Sequence, residues 1–250
     1  KVTKFQGKVP SINGVYKLQE GKPINQLYVM SVDRIVRDQS DLDYVQSLVD
    51  KNPDYFATYQ RPELGDLLYA DANHDGNLDA NDRIEIGNGD SPAFTFGSNI
   101  GISWKGFDFS MDMMGVYGNE IYRNWESDEF SQNNYSLRRM NRWNGEGTSN
   151  WEPILDPSRS INRQNSSYFI EDGSFFRIRN IELGYTFNPG LLKKIYLKSL
   201  RLYANVQNLK TWSKCSGYTP EIGGSATSFG VDNGTYPMPT VYTFGLNLTF

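Results

Sequence analysis

Residues 94–118, FTFGSNIGISWKGFDFSMDMMGVYG, decide the fold, because large apolar residues recur there at every second position. Small or polar residues such as Asn99 and Asp108 occupy the positions between them. Lys105 and Gly106, at the centre, suit a two-residue hairpin turn. Side chains of a β-strand alternate between its two faces, so this pattern predicts a pair of antiparallel strands with one apolar face and one polar face.

The same alternation returns in three later segments, IELGYTF (181–187), SLRLYANVQN (199–208) and VYTFGLNLTF (241–250). These segments are close to the length of about ten residues that a tilted strand needs to cross a bilayer. The stretch FFRIRN (175–180) breaks the alternation, since Arg177 and Arg179 share odd numbering with the apolar Ile181. We expect a β-bulge or the membrane boundary there, and seven or eight strands in the whole chain.

Composition excludes several classes of protein. The chain has 250 residues, a net charge of -4 and one cysteine, Cys215. A disulfide framework is therefore excluded, and a nucleic-acid-binding face would need clustered basic residues that are absent. No stretch approaches the roughly 18 apolar residues of a membrane helix, and the first ten residues lack the apolar segment of a signal peptide. A soluble protein or a membrane protein built of strands remains.

Connection lengths favour the membrane protein. Very short turns alternate with three long excursions, at 33–93, 118–174 and 209–240. Outer-membrane barrels combine short turns on one side with long loops on the other. The predicted fold class is all-β, an antiparallel transmembrane β-barrel segment with long loops. One short helix is predicted in the first loop, capped by Ser40 and ended before Pro53.

The segment DANHDGNLDAND (71–82) matches a calcium-binding loop. Oxygen-bearing residues stand at loop positions 1, 3, 5, 7, 9 and 12, with Gly76 at the sharp turn. These candidate ligands are Asp71, Asn73, Asp75, Asn77 (through its carbonyl), Asp79 and Asp82. Asp82 replaces the usual Glu, and the following RIEIG alternates like a strand, so we expect a structural Ca²⁺ site and not a sensor. The alternative is an Asp- and Asn-rich turn without metal.

Aromatic residues in the second long excursion are candidates for binding substrate. They are Trp125, Tyr135, Trp143 and Trp151. Aromatic faces among polar neighbours suit a sugar or a peptide, but the same residues could pack the loop on itself or against a partner. The only histidine, His74, stands at a non-ligand position of the acidic loop, and no serine or cysteine has a histidine nearby. The sequence therefore predicts no enzyme and no catalytic residue.

Four ordered blocks resemble the C-terminal region of SusC/RagA-type TonB-linked outer-membrane transporters. The first block begins with GDLLYADANHDGNLDANDRIEIG (65–87) and continues through the hairpin at 94–118. The other three are SYFIEDGSFFRIRNIELGYTF (167–187), SLRLYANVQNLKTWSKCSGYTPEIG (199–223) and YPMPTVYTFGLNLTF (236–250). The resemblance implies that residues 1–250 are the C-terminal part of a large plugged barrel. The N-terminal barrel half, the plug and the signal peptide would lie outside this chain.

The resemblance also implies a function. Such transporters import a nutrient across the outer membrane with energy from the TonB complex, which would act through the missing N-terminal part. An oligosaccharide is the expected substrate, with a peptide as the alternative, and a SusD-like lipoprotein is the expected partner. Outer-membrane lipid would surround the strands. A soluble extracellular calcium-binding β-protein, such as a carbohydrate-binding module, is the alternative function, and a membrane-bound hydrolase barrel is a weaker one.

The last strand carries a separate pattern. Thr243, Gly245, Leu248 and Phe250 match the terminal strand by which outer-membrane precursors are recognised by the barrel-assembly machinery. The alternative is an ordinary final strand of a soluble sheet. Counting strands back from a periplasmic C-terminus places all three long loops on the extracellular side, including the calcium loop.

Overall fold

The computed structural model describes residues 11–87, 89, 91–125, 135–193, 196–224 and 229–250. They form two compact units. The loop unit comprises Lys1–Asp90, Tyr122–Ile170 and Gly223–Gly234, and the sheet unit comprises Ser91–Ile121, Glu171–Ile222 and Thr235–Phe250. The strands are β1 (Ser11–Asn13), β2 (Tyr16–Leu18), β3 (Gln26–Met30), β4 (Val32–Ile35), β5 (Leu67–Tyr69), β6 (Arg83–Ile86), β7 (Phe94–Trp104), β8 (Phe107–Tyr117), β9 (Glu120–Arg123), β10 (Ile170–Asp172), β11 (Phe175–Thr186), β12 (Ser199–Ser213), β13 (Val231–Asp232) and β14 (Val241–Thr249). The α-helices are α1 (Gln39–Lys51) and α2 (Pro189–Leu192).

The sheet unit is one antiparallel sheet in the order β14-β12-β11-β8-β7. Directly opposed residues show that each face has one chemical character. One row across all five strands is Ile100, Met111, Ile181, Val206 and Tyr242. A neighbouring row on the other face is Gly101, Ser110, Glu182, Asn205 and Thr243. The predicted strands and their two-faced character are confirmed.

The apolar face of this sheet is exposed in the part of the chain that the structure describes. Phe244 is 81% exposed, Trp104 65% and Ile102 60%. A contiguous apolar surface of this kind marks a face that contacts lipid or another protein. In transmembrane barrels it is the outward band that meets the hydrocarbon of the bilayer.

The hairpin turn and the bulge lie where the sequence predicts them. Lys105 and Gly106 have φ values of 47° and 91°, the positive φ pair of a type I′ turn. In the pairing of β11 with β8, the register shifts between Ile178 and Asn180, which leaves Arg179 as the extra residue. Against β12 the register shifts at the same point, but there two residues, Asn208 and Leu209, lie opposite Arg179. The predicted bulge is therefore confirmed.

The loop unit has a hydrophobic core of its own. Its sheets are β1-β2-β3-β6 and β4-β5. The main cluster of buried side chains is Met30, Ile35, Tyr55, Leu67, Tyr69, Leu78, Ile161 and Tyr168. The predicted seven or eight strands are too few, because strands of three to five residues contain too little alternation to be read from sequence.

Helix α1 is confirmed, but its predicted cap is wrong. Asp38 is the N-cap, and its carboxylate accepts hydrogen bonds from the backbone N–H groups of Ser40 and Asp41. A carboxylate two residues before Ser40 satisfies the first free N–H groups of the helix and adds favourable charge at its positive end. Among the described helices, none has the length and apolar content needed to span a membrane.

Candidate functional site

An ion-pair network occupies the polar face of the sheet. The Arg201 guanidinium on β12 pairs with Asp108 on β8, and its Nη2 lies 2.7 Å from Oε1 of Glu182 on β11. A Cβ at Gly184 would overlap the Arg201 guanidinium and the Asp108 carboxylate, so glycine leaves room for this ion pair. Three strands are thus joined through one arginine, whose planar fork suits two carboxylates at once.

A cavity of about 860 Å³ opens on the same face beside the bulge. Its lining residues are Gly97, Ser98, Asn99, Asp112, Met113, Met114, Arg177, Arg179, Asn180, Gln207, Asn208, Glu221 and Met238. Arg177 is buried, and its Nε donates to Oγ1 of Thr211 at 2.7 Å while Nη1 pairs with Glu221. The cavity has the size of a small-ligand site.

No motif in the sequence marks the residues lining this cavity as a site. The break in alternation at Arg177 and Arg179 was the available signal, because a bulge redirects side chains and is frequent beside functional sites. The partner of Arg177, Glu221, is 44 residues away in sequence. No local pattern connects the two.

The acidic loop at 71–82 makes a sharp turn. Gly76 has a φ of 84° and His74 a φ of 60°, which produce the sharp turn. Asp71, at the first ligand position, accepts the Gly76 N–H through Oδ2 at 2.9 Å. Its other oxygen, Oδ1, is buried and has no hydrogen-bond partner. An unsatisfied buried carboxylate oxygen is costly, and a cation would satisfy it.

The remaining acidic side chains bond to the loop backbone. Asp82 is fully buried and accepts the N–H groups of Ala72 at 2.9 Å and Asp79 at 2.9 Å. Its burial raises the pKa of the carboxyl group, and the charge of Asp71 contributes in the same direction. The Asn77 N–H, donating to Asp75, lowers the pKa of Asp75. Within the described ranges, no group of three or more His, Cys, Asp or Glu side chains is arranged to hold a metal ion.

The four predicted aromatic residues have different environments. Trp143 packs against the main core of the loop unit, and its Nε1 donates to the carbonyl of Arg37 at 3.2 Å. Trp151 is 46% exposed and lies 6.1 Å from the Tyr168 ring, Tyr135 is exposed, and Trp125 is half-buried. In the described part of the chain, no ring contact joins two of these four. Trp143 thus has a packing role, and a shared binding surface stays a prediction.

The predicted assembly residues lie on or just after β14. Thr243 is opposite Asn205, Gly245 is opposite Tyr203, and Leu248 is opposite Leu200. A Cβ at Gly245 would overlap the Tyr203 ring, so glycine leaves room for that side chain. Recognition of this strand by the assembly machinery stays a prediction.

The sequence of this chain is similar to those of several known receptors. No protein-family model matches the chain. TonB-dependent receptor P39 of Formosa agariphila is 37% identical over 196 residues, which are 74% of this chain and 19% of that receptor. The chain belongs to the TonB-dependent receptor family. TonB-dependent receptor SusC of Bacteroides thetaiotaomicron is 29% identical over 185 residues, 73% of this chain and 17% of that receptor.

The chain spans about a fifth of the length of these curated TonB-dependent receptors. Among solved structures, the RagAB peptide importer in the open-open state matches with a TM-score of 0.65 at 21% identity, over 95% of this chain and 24% of that chain. The closed-closed state of the same importer matches with a TM-score of 0.65 at 20% identity, over 100% of this chain and 25% of that chain. These structural matches show a shared fold.

TonB-dependent receptors are outer-membrane β-barrel proteins, so the five-stranded sheet is a segment of a barrel wall. Its apolar and polar faces correspond to the lipid side and the lumen side of such a wall. The curated relatives are TonB-dependent receptors and not enzymes, which agrees with the prediction that this chain has no catalytic residues.

Proposed function

We propose that the receptor containing this chain imports a nutrient across the bacterial outer membrane, with energy delivered by the TonB complex to parts of the receptor outside this chain. The two-faced sheet is the observation that supports this function most directly. Its unburied apolar face suits lipid, and its polar face carries ion pairs and a cavity. This arrangement suits the wall of a polar passage through a membrane.

A SusD-like lipoprotein is the proposed partner, and the loop unit is its proposed docking region on the extracellular side. The relative named SusC and the importer named RagAB support a partner-dependent uptake system of this kind. The substrate is an oligosaccharide or a peptide. The exposed Trp151 and Tyr135 of the loop unit favour a sugar at the entrance. We further propose that β14 is the strand read by the barrel-assembly machinery.

Uptake by intact cells tests the proposed function. We expect a strain lacking the receptor gene to lose accumulation of radiolabelled oligosaccharide or peptide, and strains lacking TonB or the neighbouring lipoprotein to lose it as well. Re-expression of the receptor in the first strain should restore uptake. Unchanged accumulation of every labelled substrate in the receptor-null strain would contradict the proposal.

We also propose that the acidic loop binds Ca²⁺ as a structural ion. The unsatisfied buried Oδ1 of Asp71 supports this, since carboxylate and carbonyl oxygens are the ligands that Ca²⁺ prefers. The bound ion would hold residues 71–82 in their turn and offset the entropy cost of ordering the loop.

Calcium titration of the full-length receptor tests the site. We expect Asp71→Ala to weaken Ca²⁺ binding at least tenfold, because it removes the first ligand. Asp54→Ala, an exposed carboxylate outside the loop, is the matched control and should bind like the wild type. At a Ca²⁺ concentration 100-fold above Kd, the ion should add about 2.7 kcal/mol to the stability of the folded loop. Equal binding by both variants would reject the site.

A further inference from the structure

We propose that the apolar face of the five-stranded sheet binds a phosphorylated glycolipid of the outer leaflet, with Lys210 holding its phosphate and a row of aromatic rings contacting its sugar. The inference rests on the extracellular side proposed above for the loop unit. It concerns the lipid that surrounds the receptor, and it is independent of which nutrient is imported.

Four aromatic rings form a continuous row at one end of this face, called here the aromatic row. Ring centroids lie 5.9 Å apart for Phe94 and Phe96 and 6.1 Å apart for Phe96 and Phe176. The centroids of Phe176 and Trp212 are 5.6 Å apart. The Phe96 ring fills the space that a Cβ at Gly115 would need, so the row crosses β8 without a gap. Aromatic rings gather where the lipid face of a barrel meets the membrane boundary, and the row marks such a boundary.

The aromatic row lies at the end of the sheet that is joined by the chain to the loop unit. β7 begins at Phe94, close after the loop-unit segment that ends at Asp90. β11 begins at Phe175, close after the loop-unit segment that ends at Ile170. With the loop unit on the extracellular side, the row marks the outer boundary of the membrane. In a bacterial outer membrane, the lipid of the outer leaflet is a phosphorylated glycolipid.

Lys210 stands on the same face, in the next row toward the middle of the sheet. It is directly opposite Ile178, which in turn is opposite Met113. Lys210 is exposed, and among the described residues that share this face in the paired strands it has the only charged side chain. A charge in a lipid-facing row is unfavourable unless it reaches a polar partner, so such a residue points to a binding role.

The lysine side chain is long enough to reach the level of the aromatic row. Lys210 and Trp212 are two residues apart on one face of β12, which is about 7 Å at the usual rise of a strand. A lysine near a membrane boundary extends its ammonium group toward the headgroups while its methylene groups stay in apolar surroundings. The ammonium group of Lys210 can therefore meet a phosphate beside the Trp212 ring.

The described part of the chain supplies no anion for Lys210, which has neither a hydrogen bond nor an ion pair there. Two acidic side chains near this end of β12 have other partners. Asp172 lies 3.1 Å from Nζ of Lys214, and Glu221 pairs with Arg177 on the polar face. β12 lies inside the sheet, between β11 and β14, and the plug of a TonB-dependent barrel lies in the lumen, behind the opposite face. The partner that remains for Lys210 is a lipid headgroup.

The combination of groups suits a glycolipid better than a phospholipid. An ammonium group binds phosphate as a compact point charge. The exposed rings of Phe94 and Trp212 offer flat apolar faces on which a sugar ring can pack. A phospholipid such as phosphatidylglycerol provides the phosphate but no sugar ring. The acyl chains of either lipid would cover the apolar rows below Lys210.

Native mass spectrometry of the purified full-length receptor in detergent, titrated with monophosphoryl lipid A, tests the inference. We expect Lys210→Gln to weaken binding about tenfold, the effect of losing one charge-assisted hydrogen bond. Lys210→Arg should retain most of the affinity, because it keeps the charge. Trp212→Leu should weaken binding about threefold, since leucine is apolar but has no ring face.

Lipid A without its phosphate should bind the wild type about tenfold more weakly and lose nothing further in Lys210→Gln. Lys214→Gln is the matched control, since it removes an exposed lysine just after the same strand that already pairs with Asp172. It should bind monophosphoryl lipid A like the wild type. Heat-modifiable migration of each variant would show that its barrel is folded.

Equal binding of monophosphoryl lipid A by the wild type and Lys210→Gln would overturn the inference, as would the absence of binding to the wild type. Phosphatidylglycerol is the probe for the other lipid class. If it bound as tightly as monophosphoryl lipid A and with the same dependence on Lys210, the site would be one for phosphate of any lipid, and the assignment to a glycolipid would be wrong.

Uptake separates this inference from the proposed function. A receptor that binds lipid A through Lys210 but supports no TonB-dependent accumulation of any labelled nutrient would contradict the proposed function and leave the lipid site standing. TonB-dependent accumulation by a receptor whose lipid A binding is the same in Lys210→Gln would overturn the inference alone.

Discussion

Asp66 shows at the level of a single residue how the loop unit is held together. Its carboxylate is fully buried and accepts hydrogen bonds from Nε of Arg159 at 2.8 Å, Nδ2 of Asn162 at 2.8 Å and the Glu63 N–H at 2.8 Å. Arg159 also contacts Glu63, whose side chain is 72% exposed. One arginine therefore has a buried partner and an exposed partner, which makes the two directly comparable.

We predict that Asp66→Ala destabilises the loop unit by about 3–5 kcal/mol, because the buried Arg159 guanidinium loses its counter-charge. Glu63→Ala should cost about 0–1 kcal/mol, as expected for a solvent-exposed pair. Hydrogen exchange of the amides at 61–67 and 159–162 in the full-length receptor measures both. Similar exchange in the two variants would show that burial does not decide the strength of these pairs.

At the level of elements, the packing of β12 against β14 depends on Gly245. The Tyr203 ring occupies the space that a Cβ at position 245 would need. The two residues are directly opposed in the register of the strands. Gly245, which belongs to the predicted recognition pattern of the last strand, thus has a packing role in the folded sheet as well.

We predict that Gly245→Ala lowers the yield of folded receptor in the outer membrane, because the Tyr203 ring must leave its position. The double variant Gly245→Ala with Tyr203→Ala should recover folded receptor, since the overlap is then removed. Heat-modifiable migration of membrane extracts measures the folded fraction. If the double variant is as poorly assembled as Gly245→Ala, recognition by the assembly machinery, and not packing, explains the need for glycine.

The N-cap of α1 makes the stability of this helix depend on pH. The Ser40 hydroxyl, donating to Asp38 at 2.6 Å, lowers the pKa of that carboxyl group, and the Asp41 N–H contributes in the same direction. A carboxyl group with a lowered pKa in the folded state stabilises the helix above its unfolded pKa of about 4. This contribution is lost as the pH falls through the lower folded pKa.

We therefore predict that protection of the first-turn amides of α1 decreases between pH 5 and about pH 3 in the wild type, after correction for intrinsic exchange. Asp38→Asn keeps a good cap without a titrating group, so its protection should vary less with pH. Asp38→Ala should have low protection at both values. Hydrogen exchange with mass spectrometry measures this, and identical pH profiles for the wild type and Asp38→Asn would contradict the assignment.

At the level of the whole molecule, the sheet has two properties that make it unsuited to water alone. Its apolar face is exposed, and β7 and β14 each pair with one neighbour in the five-stranded sheet. Unpaired strand edges associate with other chains in water and find no hydrogen-bond partner in lipid. A closed barrel removes both problems.

We predict that residues 1–250 expressed alone aggregate in buffer and that the full-length receptor requires detergent for extraction from membranes. Size-exclusion chromatography with light scattering measures the association state of both. A monodisperse, detergent-free monomer of residues 1–250 would instead support the soluble calcium-binding β-protein.

Much of the sheet was predictable from sequence because side-chain direction in a strand is a local property with a period of two residues. The hairpin at 94–118, the bulge near Arg179 and the later long strands all follow from this alternation. The acidic loop was equally readable, since its spacing lies within twelve residues. The short strands of the loop unit could not be predicted from sequence, because their partner strands lie far away in sequence.

By itself, the sequence determined which segments form long strands, which face of each strand is apolar, and the resemblance to a receptor family. Only the tertiary structure decided which charges are paired. Arg201 meets Asp108 from 93 residues away, and Arg177 meets Glu221 from 44 residues away. The physical reason is that alternation depends on neighbouring residues, while the pairing of charges depends on the register between strands, which is set by contacts across the whole sheet.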